Sequence, residues 1–336
     1  MASHPGNDGP PPLLGRRAPP CVLLLCHPIE FSLLDRPLPD NFRFLKPWES
    51  PLPLDDFLSS ADARPAEAIL TNGRAPVTAD MLRRLPGVRL VFTSSAGVNH
   101  IDLAECRRRG IAVAGAGDAY SEDVADLAVG LLMDVLRKVS ASDRHVRRGL
   151  WSSEGEVALS SKLGGKRVGI VGLGKIGLKV AKRLEAFGCA VSYNSRNTKP
   201  CVPYPFYSDV SELAANCDAL VICCGLNEQT HHMITREVLL ALGKEGMIVN
   251  VGRGSIVDEK EMVQLLVQAE LEGAGLDVFE NEPDIPEELL ALDNVVLSPH
   301  SAVFTPESFS DICNLAVGNL EAFFSNKPLL SPVLYQ

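Results

Sequence analysis

The feature that most constrains this chain is a glycine-rich turn near its middle, where residues 168–177 read VGIVGLGKIG. A short apolar run enters the turn and an amphipathic stretch follows at once, which is the context of a dinucleotide-binding motif. Gly172 permits a tight turn, Gly174 leaves room for a pyrophosphate against the backbone, and Gly177 lets the helix pack on the strand. The residues expected to contact the dinucleotide here are Gly172, Gly174, Lys175, Ile176 and Gly177.

Predicted strands and helices alternate on both sides of this turn, a pattern typical of parallel α/β sheets. Before the turn, we predict helices over 78–85 and 101–109 and strands over 21–26, 67–72, 90–95 and 112–115. Residues 121–148 are predicted to form one long helix with an acidic first turn and a basic end. The second group of predicted strands comprises 168–172, 189–194, 219–225, 247–251, 274–278 and 294–298. A last helix over 305–324 is expected to pack on the first lobe.

These elements predict an α/β fold with two Rossmann-like lobes. Residues 121–299 would form a doubly wound parallel sheet that binds the dinucleotide. Residues 21–120 and 300–336 would together form a smaller, flavodoxin-like substrate lobe. Residues 1–20, rich in Pro and Gly, are expected to be a disordered tail. A length of 336 residues is enough for two such cores.

Composition excludes several kinds of partner. The chain has 42 acidic against 32 basic residues and a net charge of −10, which opposes binding to nucleic acid or to an anionic membrane surface. No apolar stretch reaches transmembrane length. The nine cysteines show no spacing suited to zinc, so we expect free thiols of a reducing compartment and no metal site. His231 and His232 are interpreted as structural or solvated. A cytosolic location is predicted, with a plastid as the alternative because of Arg16 and Arg17.

Three polar residues follow late predicted strands, at the sheet edge where open α/β folds bind ligands: Arg253, Glu282 and His300. Each alone has a plainer interpretation, as a solvated cation, a turn residue or a structural histidine. Together they offer a guanidinium to hold a carboxylate, an imidazole to protonate a ketone oxygen, and a carboxylate to stabilise the protonated imidazole. The combination suits reduction of a 2-oxo acid.

At this point the motifs resemble those of the D-isomer-specific 2-hydroxyacid dehydrogenases. The resemblance rests on VGIVGLGKIG, IVNVGRGSIVDE (248–259), GAGLDVFENEP (273–283) and LSPH (297–300), and it extends over residues 20–330. Within the family it is greatest to the plant-type glyoxylate/hydroxypyruvate reductases, including hydroxyphenylpyruvate reductases. Residues 301–303 depart from the small, glycine-containing segment common in the family.

The resemblance implies roles for individual residues. It implies that Arg253, Glu282 and His300 are catalytic and that the substrate is bound by Ala96, Gly97, Arg253 and His300. It also implies that Cys224, Thr230 and Val251 lie along the cofactor and that Asp277 contacts the nicotinamide amide. A homodimer is implied too, for which the predicted helix over 121–148 offers an apolar face.

The end of the second strand of the dinucleotide sheet predicts the form of the cofactor. NAD-specific sheets place an acidic residue there to bind the ribose hydroxyls. This chain has Asn194, Ser195 and Arg196 instead, and a hydroxyl and a guanidinium can bind a 2′-phosphate that an acid would repel. We therefore expect NADP(H) to be preferred, with NAD(H) also accepted. The plainer interpretation is that Arg196 is a solvated loop cation.

The function predicted from the sequence is NADPH-dependent reduction of hydroxypyruvate, glyoxylate or 4-hydroxyphenylpyruvate to D-2-hydroxy acids such as glycerate and glycolate. An alternative of another class is a dinucleotide-sensing binding protein without turnover, similar to co-repressors that resemble this family. Formate oxidation on the same scaffold is disfavoured, because it releases no hydroxyl proton and its family members pair the histidine with an amide where this chain has Glu282.

Overall fold

Two parallel β-sheets organise the computed structural model, which describes residues 18–333. The first sheet contains β1 (Cys21–Leu24), β2 (Arg43–Leu45), β3 (Ala68–Thr71), β4 (Leu90–Thr93) and β5 (Ala112–Ala114). Their spatial order is β2-β1-β3-β4-β5, which is the flavodoxin-like order. Strands β1, β3 and β4 are buried at every position, as expected of a sheet covered on both faces. Strand β2 was not predicted, because an edge strand of three residues with one fully buried side chain has little pattern.

The helices of the first lobe are α1 (Ile29–Leu33), α2 (Leu54–Ser59), α3 (Ala79–Arg84) and α4 (Leu103–Arg109), with a 3-10 turn over Pro47–Glu49. The two predicted helices are confirmed as α3 and α4, and both begin at N-caps. Thr78 Oγ1 accepts the Met81 amide, and Asp102 Oδ1 accepts the Glu105 amide. Residues 1–17, most of the predicted disordered tail, and residues 334–336 lie outside the described residues.

The single helix predicted over 121–148 is wrong. The structure has α5 (Ser121–Arg137) and α6 (Val139–Arg147), followed by α7 (Leu150–Glu154). Lys138 separates the first two in a left-handed conformation, with φ of 54°. The Asp134 carboxylate then accepts the Ser140 amide at 2.8 Å, which replaces the hydrogen bond that a continuous helix would have made. Helix α5 packs its apolar face on the second sheet.

All six strands predicted for the second sheet are confirmed: β6 (Arg167–Val171), β7 (Ala190–Asn194), β9 (Ala219–Ile222), β10 (Met247–Asn250), β11 (Gly273–Leu276) and β12 (Val295–Leu297). A two-residue edge strand, β8 (Phe206–Tyr207), was not predicted. The spatial order is β12-β11-β10-β9-β6-β7-β8, so the winding direction reverses beside β6. Such a reversal leaves a crevice at the carboxyl ends of the strands, where doubly wound sheets bind ligands. The connecting helices are α8 (Lys175–Ala186), α9 (Val210–Ala215), α10 (Arg236–Leu242), α11 (Glu259–Val267) and α12 (Glu287–Leu290), with a 3-10 turn over Gly254–Ile256.

The last helix, α13 (Pro306–Phe324), returns to the first lobe as expected. It packs on α1 and β4, and Arg36 Nη2 donates to Asn314 Oδ1 at 2.8 Å. After the helix, Pro332 pairs antiparallel with Ala114 of β5. Thr305, which caps α13, also donates to an oxygen of Asp123 at 2.5 Å. Both ends of the described chain therefore build the first lobe. No helix among residues 18–333 is long and apolar enough to cross a membrane.

Candidate active site

The three glycines at the turn between β6 and α8 have different structural roles. Gly172 has φ of 97°, and a Cβ there would lie 2.6 Å from the backbone of Cys224. A Cβ on Gly177 would collide with the carbonyl of Gly172. Gly174 has nothing within 4 Å of its Cβ position. The first and last glycines thus serve packing, and the middle one opens the helix N-terminus to a ligand. The residues present fit a dinucleotide phosphate.

His300 and Glu282 form a hydrogen-bonded pair at the carboxyl edge of the second sheet. His300 Nδ1 lies 2.7 Å from Glu282 Oε2, and Glu282 Oε1 accepts the Phe279 amide at 3.1 Å. Burial opposes ionisation of Glu282, but the hydrogen bonds from His300 and Phe279 and the charges of His300 and Arg253 outweigh it and lower its pKa. An ionised Glu282 accepts a hydrogen bond from Nδ1–H, which leaves Nε2 of His300 as the nitrogen that can exchange a proton with a ligand.

The backbone at His300 is held in an unusual conformation. Its φ is 51°, in the left-handed region, and its amide lies 2.8 Å from the carbonyl of Asp277. The Asp277 carboxylate, 1% exposed, accepts the Ser298 hydroxyl at 2.6 Å and the Ser301 amide at 2.9 Å. Burial raises the pKa of Asp277, while these hydrogen bonds partly oppose that rise. Asp277 therefore holds the turn that carries His300, a positioning role that we did not predict for it.

Arg253 lies against the loop predicted to hold a substrate carboxylate. A Cβ added at Gly97 would be 2.7 Å from Nη2 of Arg253, so the guanidinium and that loop are in close contact. Burial lowers the pKa of Arg253, and the charge of Glu282 partly opposes this. A guanidinium that has lost part of its hydration binds an anion more strongly than a solvated one. Ala96, beside Gly97, is exposed.

Two further residues at Arg253 were missed from the sequence. Asn250 is 1% exposed; its side-chain nitrogen donates to the Arg253 carbonyl and its oxygen accepts the Gly252 amide, both at 3.0 Å. His100 lies 3.0 Å from Thr93 Oγ1, and burial together with the charge of Arg253 lowers its pKa. Asn250 could have been found, because a polar residue inside the apolar run MIVNV needs partners. The position of His100 depends on the approach of two distant loops.

The predicted cofactor residues lie around the crevice. Val251 is buried at the end of β10, Cys224 touches Gly172, and Thr230 Oγ1 donates to the Gly225 carbonyl at 2.8 Å. A cavity of about 850 Å³ is lined by Ala96 from the first lobe and Lys175 from the second. Ile176 lines a smaller one of about 220 Å³ beside it. Arg253, Glu282 and His300 lie outside the lining of both cavities.

Asn194, Ser195 and Arg196, which are predicted to contact the ribose or its 2′-phosphate, form a turn at the end of β7. Asn194 donates to the Tyr207 carbonyl at 2.9 Å, so its amide ties β7 to β8. The Ser195 hydroxyl donates to the Asn197 carbonyl at 2.6 Å. Arg196 is exposed. Residues 194–197, at the end of β7, include no acidic residue.

Comparison with known proteins gives consistent matches over both lobes. A family model described as D-isomer specific 2-hydroxyacid dehydrogenase, NAD binding domain, matches residues 129–302. The chain is 54% identical over 315 residues to the glyoxylate/hydroxypyruvate reductase HPR3 of Arabidopsis thaliana, covering 94% of this chain and 97% of the relative. It is 46% identical over 313 residues to the hydroxyphenylpyruvate reductase of Plectranthus scutellarioides, covering 93% and 98%. It also resembles the crystal structure of an NADPH-dependent glyoxylate/hydroxypyruvate reductase from Sinorhizobium meliloti in complex with NADP and malonate, with a TM-score of 0.84 at 34% identity, covering 94% and 97%.

Proposed function

The chain belongs to the D-isomer specific 2-hydroxyacid dehydrogenases, and we propose that it reduces hydroxypyruvate and glyoxylate to the D-2-hydroxy acids glycerate and glycolate, with NADPH as its preferred coenzyme. Its relatives make it an oxidoreductase of 2-oxo acids, of the plant glyoxylate/hydroxypyruvate reductase type. We include 4-hydroxyphenylpyruvate as a third substrate. The observation that carries the proposal is the His300–Glu282 pair, 2.7 Å apart, whose carboxylate also feels the charge of Arg253.

The proposed mechanism assigns one task to each side chain. Arg253 binds the substrate carboxylate, assisted by the loop at Ala96 and Gly97, and polarises the neighbouring ketone. His300 donates the proton from Nε2 to the ketone oxygen as negative charge develops there. Glu282 orients the ring through Nδ1 and stabilises its charged form. When bound, the nicotinamide supplies the hydride, and Asp277 is proposed to contact its amide.

The coenzyme preference is proposed on the residues after β7. Ser195 and Arg196 follow the strand, and Asn194 stands where NAD-specific sheets carry an acid. The Arg196→Ala variant is expected to lower the NADPH:NADH ratio of kcat/KM by about tenfold or more, since a charge-assisted hydrogen bond contributes roughly 1.5–3 kcal/mol. The control is Arg43→Ala, an exposed arginine on the edge strand of the other lobe. An unchanged ratio would refute the preference.

The reaction itself is tested by mixing the protein with NADPH or NADH and each of the three 2-oxo acids. Loss of NADPH absorbance with hydroxypyruvate or glyoxylate is the expected result. No turnover with any of the acids, while the protein still binds NADPH by calorimetry, would favour a dinucleotide-sensing protein instead.

We propose a homodimer that buries the surface of α6 and α7. The apolar side chains exposed there include Val139, Val146 and Trp151, and Leu159 just beyond α7 is 97% exposed. Such a concentration of exposed apolar side chains marks an interaction surface. Light scattering should give twice the chain mass at micromolar concentration, whereas a monomer would contradict the proposal.

The domain division and the location of the protein are also proposals. Residues 121–299 are proposed as the dinucleotide-binding domain and residues 21–120 with 300–336 as the substrate domain, since each has its own sheet in the described part of the chain. All nine cysteines are free, which supports a reducing compartment. We propose the cytosol, with the plastid as the alternative, and imaging of a C-terminal fluorescent fusion distinguishes the two.

A further inference from the structure

Three donor side chains outside the catalytic set converge on the second lobe. His231 and His232 precede α10, and Glu280 follows β11. Their ligand atoms all lie within 4.8 Å of one another, and His232 Nε2 is 2.8 Å from Glu280 Oε1. We propose that this histidine–glutamate cluster binds a divalent transition-metal ion of the Zn²⁺ class. The proposal revises our interpretation of both histidines from the sequence.

The donor set and its spacing suit such an ion. Zn²⁺ takes imidazole nitrogen and carboxylate oxygen at about 2.0–2.2 Å, which places two ligand atoms of a tetrahedral site roughly 3.4 Å apart. The His232 and Glu280 donor atoms are 2.8 Å apart, and no two donor atoms in the cluster are more than 4.8 Å apart, so side-chain rotations that move them by about an ångström bring them to that spacing. His231 is exposed, so its side chain has room to rotate. Two histidines and one glutamate leave a fourth position for water.

Two of the three ligands stand on firmly held backbone. The His232 amide donates to the Ser255 carbonyl at 2.8 Å, and the nearby Ile234 forms a parallel bridge with Val257. The Glu280 amide donates to Glu259 Oε2 at 3.0 Å. A rigid pair with one movable ligand loses less conformational entropy on binding than three movable ligands would.

The plainer alternative is a structural His232–Glu280 hydrogen bond with no ion. His231 separates the two ideas, because its ring stacks on His232 with centroids 4.1 Å apart and that hydrogen bond does not need it.

The test is a Zn²⁺ titration of the full chain, followed by calorimetry and by metal analysis after dialysis, with the thiols kept reduced. The wild type should bind one equivalent more than His231→Asn, and Glu280→Gln should weaken that equivalent at least tenfold. The matched control is His27→Asn, another exposed histidine with an aromatic ring beside it, which should bind as the wild type does. Zinc held by cysteines contributes equally to all four proteins and cancels.

Two results would overturn the proposal: no zinc uptake by the wild type at micromolar concentration, or an affinity and stoichiometry of His231→Asn equal to those of the wild type. Circular dichroism of the variants confirms that they are folded. No substrate or coenzyme is present in the titration, so its outcome is independent of the proposed reductase activity.

Discussion

The two lobes present different kinds of surface to the crevice between them. The second lobe contributes charged residues held by hydrogen-bonded partners: His300 by Glu282 and Asp277, and Arg253 by Asn250. The first lobe contributes a loop of small residues at Ala96 and Gly97. At the same strand edge it carries the aromatic pair of His27 and Trp48, with ring centroids 5.0 Å apart. Under the proposed function, the second lobe would carry out the reaction and the first would select the substrate.

The largest effect should come from His300, the proposed proton donor. His300→Gln removes the group that can protonate the ketone oxygen, and general acid catalysis contributes about 10²–10⁴-fold to a rate. We expect kcat for hydroxypyruvate to fall by that factor while NADPH still binds, as measured by steady-state kinetics and fluorescence titration. A variant that kept more than a tenth of the wild-type kcat would contradict the assignment.

Glu282→Gln tests the partner of that donor. We expect kcat to fall less, by on the order of 10–100-fold, as when other ring-orienting carboxylates are lost. Stability gives a second readout, since the native pKa of Glu282 is lowered. Stabilisation by the ionised carboxylate is present above its unfolded pKa of about 4.3 and is lost as the pH falls through the lower native value. The wild type should therefore have a higher melting temperature than the variant near neutral pH, and this difference in melting temperature should shrink below about pH 4. A pH-independent difference would show that the variant loses only packing.

Gly97→Ala tests the contact between the lobes. The new Cβ would meet the Arg253 guanidinium at 2.7 Å and force it to shift. A displacement of this kind should raise KM for the 2-oxo acid by about tenfold, because Arg253 would hold the carboxylate less well. Gly130→Ala is the control, since Gly130 lies in α5 with nothing within 4 Å of its Cβ position. Equal KM values for the two variants would show that the contact at Gly97 plays no part in substrate binding.

The smallest effect is expected at Trp48, which is 41% exposed. An aryl side chain of the substrate could stack on it, and aromatic pairs contribute about 0.5–1.5 kcal/mol, or roughly 2–10-fold. Trp48→Ala should lower kcat/KM for 4-hydroxyphenylpyruvate by that factor and leave glyoxylate unchanged. Leu33→Ala, an exposed apolar residue on α1, is the control. Equal losses for both acids would place the selecting residues elsewhere.

The sequence predicted the buried strands of both lobes, but it missed two edge strands, a helix break and some contacts at Arg253. Buried apolar runs such as Ala68–Thr71 correctly predicted most strands, and the polar residues at strand ends are the basis of the proposed roles of Arg253 and His300. The edge strands β2 and β8 were missed because they are short and only partly buried. The helix break at Lys138 was missed because it depends on a left-handed backbone conformation, which a lysine in the sequence does not indicate. The position of His100 near Arg253 depends on two distant parts of the chain meeting, whereas the partners of Asn250 are local and its place in an apolar run was a usable signal.

The return of α13 to the first lobe has a consequence for how the molecule is made. The strands of the second sheet come from one continuous stretch of sequence, Arg167 to Leu297, so this sheet can form as soon as those residues have left the ribosome. The first sheet is synthesised earlier, yet it lacks the cover of α13 and the pairing of Pro332 with Ala114 until the described chain has emerged almost completely. Of the two lobes, the one that is translated earlier is thus the one that is completed later.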